Sequence, residues 1–481
     1  MHKSLEKITV YLFTLLIIII FISYWKVQQD DSYIFYNYAK NIALGNGYVF
    51  NIGEKVNATT SPLYPLVLAL LYFIAKNFTS VTLPFLGHLI GAISLWLICF
   101  FSMRVLKKEN YPNTYCIYPF IFLSIPLLRN AVGMETFLTL ALIIITIYYY
   151  QKENYEITAF FSALAILSRY DSVIIVSILF LDDLISKKKL IQLKSILIFV
   201  ITLLPWFIFS YFYFDSLIPS SITVKLSQQQ TNFWGHGLIF FKGIISAFPG
   251  GQIVAIIFIS AFIILFVINL LLNKKFFKRR ITLLILIWTL LYFAIYSFII
   301  NPPGYTWYYT IFAILFSLIF ILSIEDYLVK KIYFISKAKL IIFTMIIFFI
   351  ISLILPFKTY NMPFTSKYQN YKSVAEWLNS NVQNGSSVAI DEIGIVGFYY
   401  KKGKIIDILG LINPDVIKHL NQNKYYEIIN EYHPSYVVTD YPKPPVYESF
   451  IFQNIFKQEY ALAKIIREGK RKVSIYKRIS N

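Results

Sequence analysis

Residues 30–64 read DDSYIFYNYAKNIALGNGYVFNIGEKVNATTSPLY, and they follow an apolar run from Ile8 to Trp25. That run is long enough to cross a bilayer, which takes about 17–25 residues. Asp30 and Asp31 therefore stand at the water interface, just beyond a predicted span. Two adjacent carboxylates repel each other, so one of them holds its proton more tightly, which suits an acid or base in catalysis. The alternative is a solvated loop whose two acids have no function.

The stretch after the two acids has its own local pattern. Aromatic and apolar residues recur at helical spacing from Tyr33 to Lys40, which predicts a helix lying along the membrane surface. Gly45 and Gly47 follow, and glycine tolerates the left-handed backbone that ends many helices. We therefore expect this helix to end near Gly45.

Composition places the whole chain in the membrane. The chain has 481 residues, of which 57% are hydrophobic and 14% charged, whereas soluble domains carry about 25% charged residues. The net charge is +19, and the cations cluster in short connections between apolar runs, as in cytoplasmic loops of membrane proteins. They do not alternate with aromatic residues on a polar surface, so we expect no nucleic-acid partner. Cys99 and Cys116 lie in or beside apolar runs, which argues against a disulfide framework.

The apolar runs predict a polytopic α-helical protein with about 11 spans and one re-entrant or juxtamembrane segment. They lie at about 8–24, 83–103, 114–129, 134–151, 156–186, 190–213, 251–272, 281–300, 306–326 and 338–356. The run at 156–186 is too long for one span and is broken at residues 168–172, so we interpret it as two short helices. Residues 62–78 are expected to dip in and return. With the cation-rich connections inside, the N-terminus is cytoplasmic and residues 25–61 form an outer loop.

The tail, residues 358–481, differs in character from the membrane domain, residues 1–357. Short strand-like runs such as Ser387–Ile390 and Tyr436–Thr439 alternate there with helix-like stretches. This alternation predicts a small α/β domain of about 120 residues. The same topology places that domain outside the cytoplasm.

The predicted outer face gathers the other conspicuous polar residues. Charge inside a span costs about 2.5–3.5 kcal/mol, so such residues face a cavity or a partner. The candidates for binding a donor phosphate or sugar are Arg129, Glu135, Arg169, Asp171, Lys225, His236 and Tyr308. Simpler explanations stay open for each. Arg169 and Asp171 can form a structural ion pair, and Glu135 can cap a helix N-terminus. Lys225 can flank a span, His236 can lie in a loop without a ligand, and Tyr308 can belong to the interfacial aromatic belt.

Five segments, in the same order, resemble the bacterial membrane glycosyltransferases of superfamily C (the GT-C fold), and among these the arabinofuranosyltransferase-like branch. They are residues 30–64, quoted above, GMET at 133–136, LSRYDS at 167–172, YFYFDSLIPSSITVKLS at 211–227 and DEIGIVGFYYKKGKIIDILGLINPDV at 391–416. Some positions depart from the branch: Tyr170 replaces its proline, Ser220 replaces its asparagine, and Ala131-Val132 precede GMET. The resemblance covers nearly the whole chain.

This resemblance implies an enzyme that takes a sugar from a polyprenyl-phosphate donor. It implies transfer to a glycan, lipid or protein acceptor on the outer face of the bacterial cytoplasmic membrane, with inversion at the anomeric carbon. The first-loop acid is then the general base. We favour Asp30 as that base, with Asp31 positioning the acceptor, binding an ion or supporting Asp30, and the reverse order stays open. No cofactor is implied, although a divalent cation is compatible with two carboxylates.

Other function classes fit part of the pattern. A transporter or flippase of lipid-linked glycans also has many spans and buried charges, but such proteins often contain paired repeats, and the sequence holds no second copy of residues 30–64. A glycan-binding scaffold leaves Asp30 and Asp31 without a role. Arabinofuranose, an aminosugar and a hexose all stay open as the sugar.

Overall fold

The computed structural model describes residues 2–109, 111, 114–187, 192–231, 237–272, 279–325, 336–469 and 471–479. Over these residues the protein is mainly helical, with a small sheet near its C-terminal end. Seven described helical segments are long and apolar enough to cross a membrane, and shorter apolar helices of 10–17 residues accompany them. Two of the seven, Arg280–Ile300 and Thr306–Ser323, combine an α-helix with a π-helical or a 3₁₀ stretch. The predicted fold class, a polytopic α-helical membrane protein with a C-terminal α/β region, is confirmed.

The helices, in chain order, are α1 (His2–Tyr24), α2 (Asp30–Ala43), α3 (Leu63–Ala75), α4 (Leu83–Lys108), α5 (Tyr118–Leu123), α6 (Thr136–Gln151), α7 (Tyr155–Ser168), α8 (Val173–Asp182), α9 (Leu193–Phe214), α10 (Ser220–Thr231), α11 (Ile239–Ser246), α12 (Gln252–Leu272), α13 (Arg280–Ala294), α14 (Phe312–Ser323), α15 (Lys337–Tyr360), α16 (Ser366–Asn381), α17 (Ile393–Tyr399), α18 (Ile417–Asn421), α19 (Tyr425–Tyr432) and α20 (Asn454–Glu459). The strands are β1 (Val388–Ile390), β2 (Ile405–Asp407), β3 (Tyr436–Tyr441), β4 (Tyr460–Glu468) and β5 (Arg471–Arg478).

The surface of α12 shows why the long helices belong in lipid. Its side chains Ile253, Ile257 and Leu271 are 65–75% exposed. Leaving a large aliphatic side chain in water forgoes roughly 1.5–3 kcal/mol that burial would provide. A row of such side chains on one helix is therefore stable only against hydrocarbon.

The break at residues 168–172 is confirmed. Helix α7 ends at Ser168, Arg169 is extended with φ −158°, and a 3₁₀ turn at Tyr170–Ser172 leads into α8. The predicted span at 114–129 is wrong in length, because α5 has only six residues and a 3₁₀ segment, Pro126–Ala131, follows it. Ile125, the residue before Pro126, is extended with ψ 120°, the conformation that a following proline favours, and the helix does not continue through it.

The chain forms two compact units, each built from three stretches. The first unit contains Met1–Lys26, His88–Pro205 and Leu238–Met362, and the second contains Val27–Gly87, Trp206–Gly237 and Pro363–Asn481. The core of the first unit includes fully buried apolar side chains of α5, α6 and α14, such as Phe120, Leu140 and Ile319. The second unit holds the sheet together with α2 and α3.

The sheet of the second unit has the strand order β2-β1-β3-β5-β4. Strand β1 pairs in parallel with β2 and β3, with Val388 opposite both Ile405 and Tyr436, whereas β5 is antiparallel to β3 and β4. Residues of β1 and β2 are buried on both faces, as is usual for parallel strands covered by helices. The segment after β1, which begins Asp391-Glu392, leaves from the carboxyl end of this parallel part and leads into α17.

Candidate functional site

Helix α2 begins at Asp30, and both acids lie in its first turn. The first N–H groups of a helix lack partners, and negative charge is favoured beside them. Most of α2 is buried, including Tyr33, Tyr36 and Tyr38, and Asp30 is itself only 5% exposed. Asp31 is half-buried. The solvated-loop alternative is therefore wrong for Asp30.

The carboxylate of Asp30 is held by backbone groups from the tail. Its Oδ2 accepts a hydrogen bond of 2.9 Å from the N–H of Gly394, and its Oδ1 accepts one of 2.8 Å from the N–H of Ile395. Both donors lie in the first turn of α17, where N–H groups have no partner within the helix. A carboxylate offers about four lone-pair positions, so these two bonds leave room for a further ligand or proton, and the carboxyl group of Glu392 is within hydrogen-bonding reach.

The surroundings of Asp30 shift its proton affinity. Burial raises the pKa of Asp30 to about 8, and the negative charges of Glu392 and Asp31 act in the same direction. The ammonium of Lys367 and the N–H of Ile395 act against this rise. A carboxylate whose pKa is near the working pH is a more effective general base than a free one.

Lys367 and Glu392 form an ion pair beside the two acids, through Nζ and Oε1. Burial raises the pKa of Glu392, but the nearby ammonium of Lys367 outweighs it and the pKa is lowered. Burial lowers the pKa of Lys367, but the carboxylates of Glu392, Asp30 and Asp31 outweigh it and the pKa is raised. The cluster thus combines three carboxylates with one ammonium, all within the second unit.

The three carboxylates also meet a geometric condition for a divalent cation. Asp30, Asp31 and Glu392 each offer an oxygen within 4.8 Å of the others, and Mg²⁺ binds carboxylate oxygens. Lys367 already supplies a positive charge at the same place. The residues are compatible with a metal ion, as the sequence indicated, and they have a counter-charge of their own.

Sequence reasoning did not assign roles to Lys367, Glu392, Gly394 or Ile395. These residues follow Asp30 by more than 330 positions, so no local spacing connects them. The segment DEIGIVG, residues 391–397, stands out in the sequence only as part of a resemblance. Its glycines next to the end of a predicted strand were the available signal, because glycine marks a close backbone approach.

Four other predicted site residues come together in the first unit. Nη1 of Arg169 donates to Oε1 of Glu135 at 2.7 Å, and its Nη2 donates to Oδ2 of Asp171 at 2.6 Å. The guanidinium lies 4.7 Å from the centre of the Tyr308 ring. Tyr296 donates from its hydroxyl to Oδ2 of Asp171 at 2.8 Å. Arg169 is 3% exposed, so this is a buried ion cluster.

Glu135 shows how the alternatives for this cluster compare. It is the N-cap residue of α6, but its side chain makes no capping hydrogen bond there. Its carboxylate serves Arg169 instead. The structural ion pair that the sequence left open for Arg169 and Asp171 is present, and it includes Glu135 as well.

The last three predicted site residues lie apart from this ion cluster. Arg129 belongs to the 3₁₀ segment Pro126–Ala131 of the first unit, is half-buried, and forms no ion pair within the described part of the chain. Its Nε is buried and has no hydrogen-bond partner there. Lys225 is half-buried on α10 of the second unit. His236 lies outside the described residues.

Comparison with solved structures identifies the fold. The structure of ArnT from Cupriavidus metallidurans bound to undecaprenyl phosphate is similar with a TM-score of 0.62 and 10% identity, over 97% of each chain. The oligosaccharyltransferase of Archaeoglobus fulgidus in its apo form is similar with a TM-score of 0.55 and 12% identity, over 91% of this chain and 69% of that one. The Archaeoglobus fulgidus protein AglB in complex with an inhibitory peptide and a dolichol-phosphate gives a TM-score of 0.52 and 11% identity, over 89% and 69%.

The sequence comparisons are narrower. Residues 360–476 match a family described only as a domain of unknown function, DUF8728. No curated protein matches the chain. The structural likeness nevertheless extends over nearly the whole molecule, so the chain has the GT-C fold of membrane glycosyltransferases.

Proposed function

We propose that this protein is a membrane glycosyltransferase that moves a sugar from a polyprenyl-phosphate donor to an acceptor hydroxyl. The observation that carries the proposal is the carboxylate of Asp30, which is buried, fixed by two backbone N–H groups and shifted toward the pKa of a useful base. Two proteins of similar fold support the choice of donor, one bound to undecaprenyl phosphate and one in complex with a dolichol-phosphate.

The proposed reaction is a single displacement. The acceptor oxygen forms a bond to the anomeric carbon while the bond from that carbon to the phosphate oxygen breaks. The lipid phosphate leaves with the bonding electron pair, and the acceptor proton moves to Asp30. Attack opposite the leaving group inverts the anomeric carbon, and no covalent sugar–enzyme intermediate is needed. Proton transfer to a positioned base contributes typically 10²–10⁴-fold to such rates.

Several of the candidate residues receive a role in this proposal. Asp30 is the base, and Asp31, half-buried beside it, positions the acceptor hydroxyl. Arg129, on the first unit, stays a candidate for the lipid phosphate, because its Nε is buried without a hydrogen-bond partner among the described residues and arginine suits phosphate through its planar fork of donors. Arg169 has a structural role, since Glu135 and Asp171 already occupy its donors.

Lys225 and His236 stay candidates for binding the donor. Tyr308, which contacts Arg169, has a structural role with it.

We further propose that transfer takes place on the outer face of a bacterial cytoplasmic membrane, with the tail domain extracytoplasmic. The acceptor is then a glycan, lipid or protein of the cell envelope, and the resemblance to the arabinofuranosyltransferase-like branch includes pentoses among the sugars. The competing proposal, a flippase of lipid-linked glycans, predicts movement of the donor without chemistry.

The experiment uses the full chain reconstituted in liposomes with a radiolabelled polyprenyl-phosphate sugar and an envelope extract as acceptor. Wild type is compared with Asp30→Asn and with Asp415→Asn, which neutralises an exposed acid of the same unit. We expect transfer by wild type and Asp415→Asn, and a loss of about 10²–10⁴-fold in Asp30→Asn. Unfolding midpoints measured for all three separate lost chemistry from lost structure. Full transfer by Asp30→Asn, or lipid movement without a transferred sugar, overturns the proposal.

A further inference from the structure

Helices α2 and α17 are joined at both of their ends. At one end, the N–H groups of Gly394 and Ile395 bind the Asp30 carboxylate. At the other end, Nζ of Lys40 donates to the carbonyl oxygen of Phe398 at 3.0 Å and lies 4.9 Å from the centre of its ring. The acid thus meets the amino end of α17 and the cation meets its carboxyl end. These contacts hold α2 against α17 and also prevent α2 from sliding along its own axis.

The close approach of the two helices requires glycine at position 394. A Cβ built on Gly394 would lie 1.9 Å from the backbone oxygen of Asp30 and 2.7 Å from its Oδ2. The backbone oxygen cannot move aside without shifting the start of α2, and Oδ2 can do so only by leaving its present orientation. No side chain larger than hydrogen therefore fits while Asp30 keeps its place.

Gly397 provides an internal comparison on the same helix. It lies one turn further along, on the same face of α17, and a Cβ there would meet the ring of Phe50 at 2.5 Å. That neighbour is a side-chain ring, whereas the nearest neighbour of Gly394 is the backbone of Asp30. The two positions therefore test the same packed helix with different consequences for Asp30.

We propose that α17 clasps α2 through Gly394 at one end and Lys40 at the other, and that this clasp positions Asp30 for proton transfer. Gly394 and Lys40 are then positioning residues, and the tail domain completes the catalytic site. The inference rests on the proposed function, because it concerns the same base.

The physical argument concerns the orientation of one carboxylate. An aspartate at a helix start can rotate about χ1 and χ2, and each accessible rotamer aims its free lone pairs differently. Two N–H donors, one on each oxygen, select a single orientation. Misplacing a catalytic group by about 1 Å can cost about 10²-fold in rate. Loss of the clasp therefore acts on kcat, while groups that bind the donor elsewhere are untouched.

The test compares Gly394→Ala with Gly397→Ala in the full chain, using the liposome transfer assay. We expect Gly394→Ala to lower kcat by about 10–100-fold with the donor KM unchanged within about twofold. Gly397→Ala should keep kcat within about threefold of wild type, since its clash falls on the Phe50 ring and not on the backbone that carries Asp30. Equal kcat values for the two variants, or a change confined to KM, would overturn the inference.

The dependence of kcat on pH distinguishes a positioning role of Gly394 from a purely structural one, because a structural role would leave the pH profile unchanged. The N–H donors favour the charged form of Asp30, so weakening them moves the acidic limb of kcat to higher pH. The other groups facing Asp30, namely Asp31, Glu392 and Lys367, are unchanged in both variants. An acidic limb that stays in place in Gly394→Ala counts against positioning.

Lys40→Met tests the other end of the clasp. If Gly394→Ala does not accumulate as folded protein, Lys40→Met decides, because it opens that end without a clash. A fall in kcat of about threefold or more then supports the clasp, and an unchanged kcat overturns it. An inactive wild type contradicts the proposed function itself, whereas an active wild type with an equally active Gly394→Ala contradicts only the inference.

Discussion

Replacing Arg169 by methionine tests whether the buried ion cluster is structural. The side chains of Arg169, Glu135 and Asp171 are only 4%, 5% and 12% exposed. Removing the arginine leaves two buried carboxylates without their counter-charge, and breaking a buried pair in this way costs about 3–5 kcal/mol. Since each 1.4 kcal/mol is tenfold, the ratio of folded to unfolded protein should fall at least about 100-fold.

The assay for Arg169→Met measures unfolding of the purified protein in detergent, either by heating or by titration with a denaturant. The matched control is Lys194→Met, which breaks an exposed pair with Glu156 in the same unit, where the side chains are 69% and 42% exposed. Exposed pairs contribute about 0.2–1 kcal/mol, so this variant should unfold nearly as wild type does.

Neutralising the stranded acids provides a second check on the same reasoning. In the triple variant Arg169→Met, Glu135→Gln, Asp171→Asn, no buried charge is left alone, so part of the lost stability should return. The structural role is refuted if Arg169→Met unfolds like wild type while the KM for the lipid donor rises strongly. That result would return Arg169 to the donor-binding role that the sequence suggested.

Two predictions concern the acid cluster of the second unit. Because burial raises the pKa of Asp30 to about 8, the base is protonated and inactive at lower pH. Initial rates of transfer should therefore increase with pH from about 6, reach half of their maximum near 8 and level off above about 9. An acidic limb near pH 4 contradicts this prediction. Because Lys367 supplies a positive charge at Asp30, Asp31 and Glu392, EDTA should leave transfer unchanged, whereas Lys367→Met should reduce it. Activity lost to EDTA and restored by Mg²⁺ would show that a metal ion supplies this charge.

Local sequence rules predicted the elements around the acids well. The helical spacing from Tyr33 to Lys40 corresponds to α2, which ends at Ala43, and Gly45 and Gly47 follow with φ of 82° and 89°. That conformation is one in which a side chain would be strained. Periodicity and glycine placement depend only on neighbouring residues, so one sequence suffices to detect them.

Local sequence rules could not predict the hydrogen-bond partners of Asp30. The N–H groups of Gly394 and Ile395 belong to the backbone, which leaves no trace in residue identity apart from the absence of a side chain at 394. Arg169 illustrates a related difficulty. Its neighbour Asp171 is visible in the sequence, but the bond to Glu135, 34 positions earlier, depends on how α6 and α7 pack. Pro126, by contrast, is a local signal inside the run 114–129 that the span prediction did not use.

The second unit is assembled from parts of the chain that are made at very different times. About 275 residues separate Gly87 from Pro363, and a ribosome adding about 5–20 residues per second takes roughly 14–55 s to synthesise them. Throughout that interval α2 lacks the backbone N–H groups of Gly394 and Ile395, which bind the Asp30 carboxylate in the complete unit. A chain that stops before Pro363 would thus contain Asp30 and Asp31 but none of the N–H donors that hold Asp30 in place.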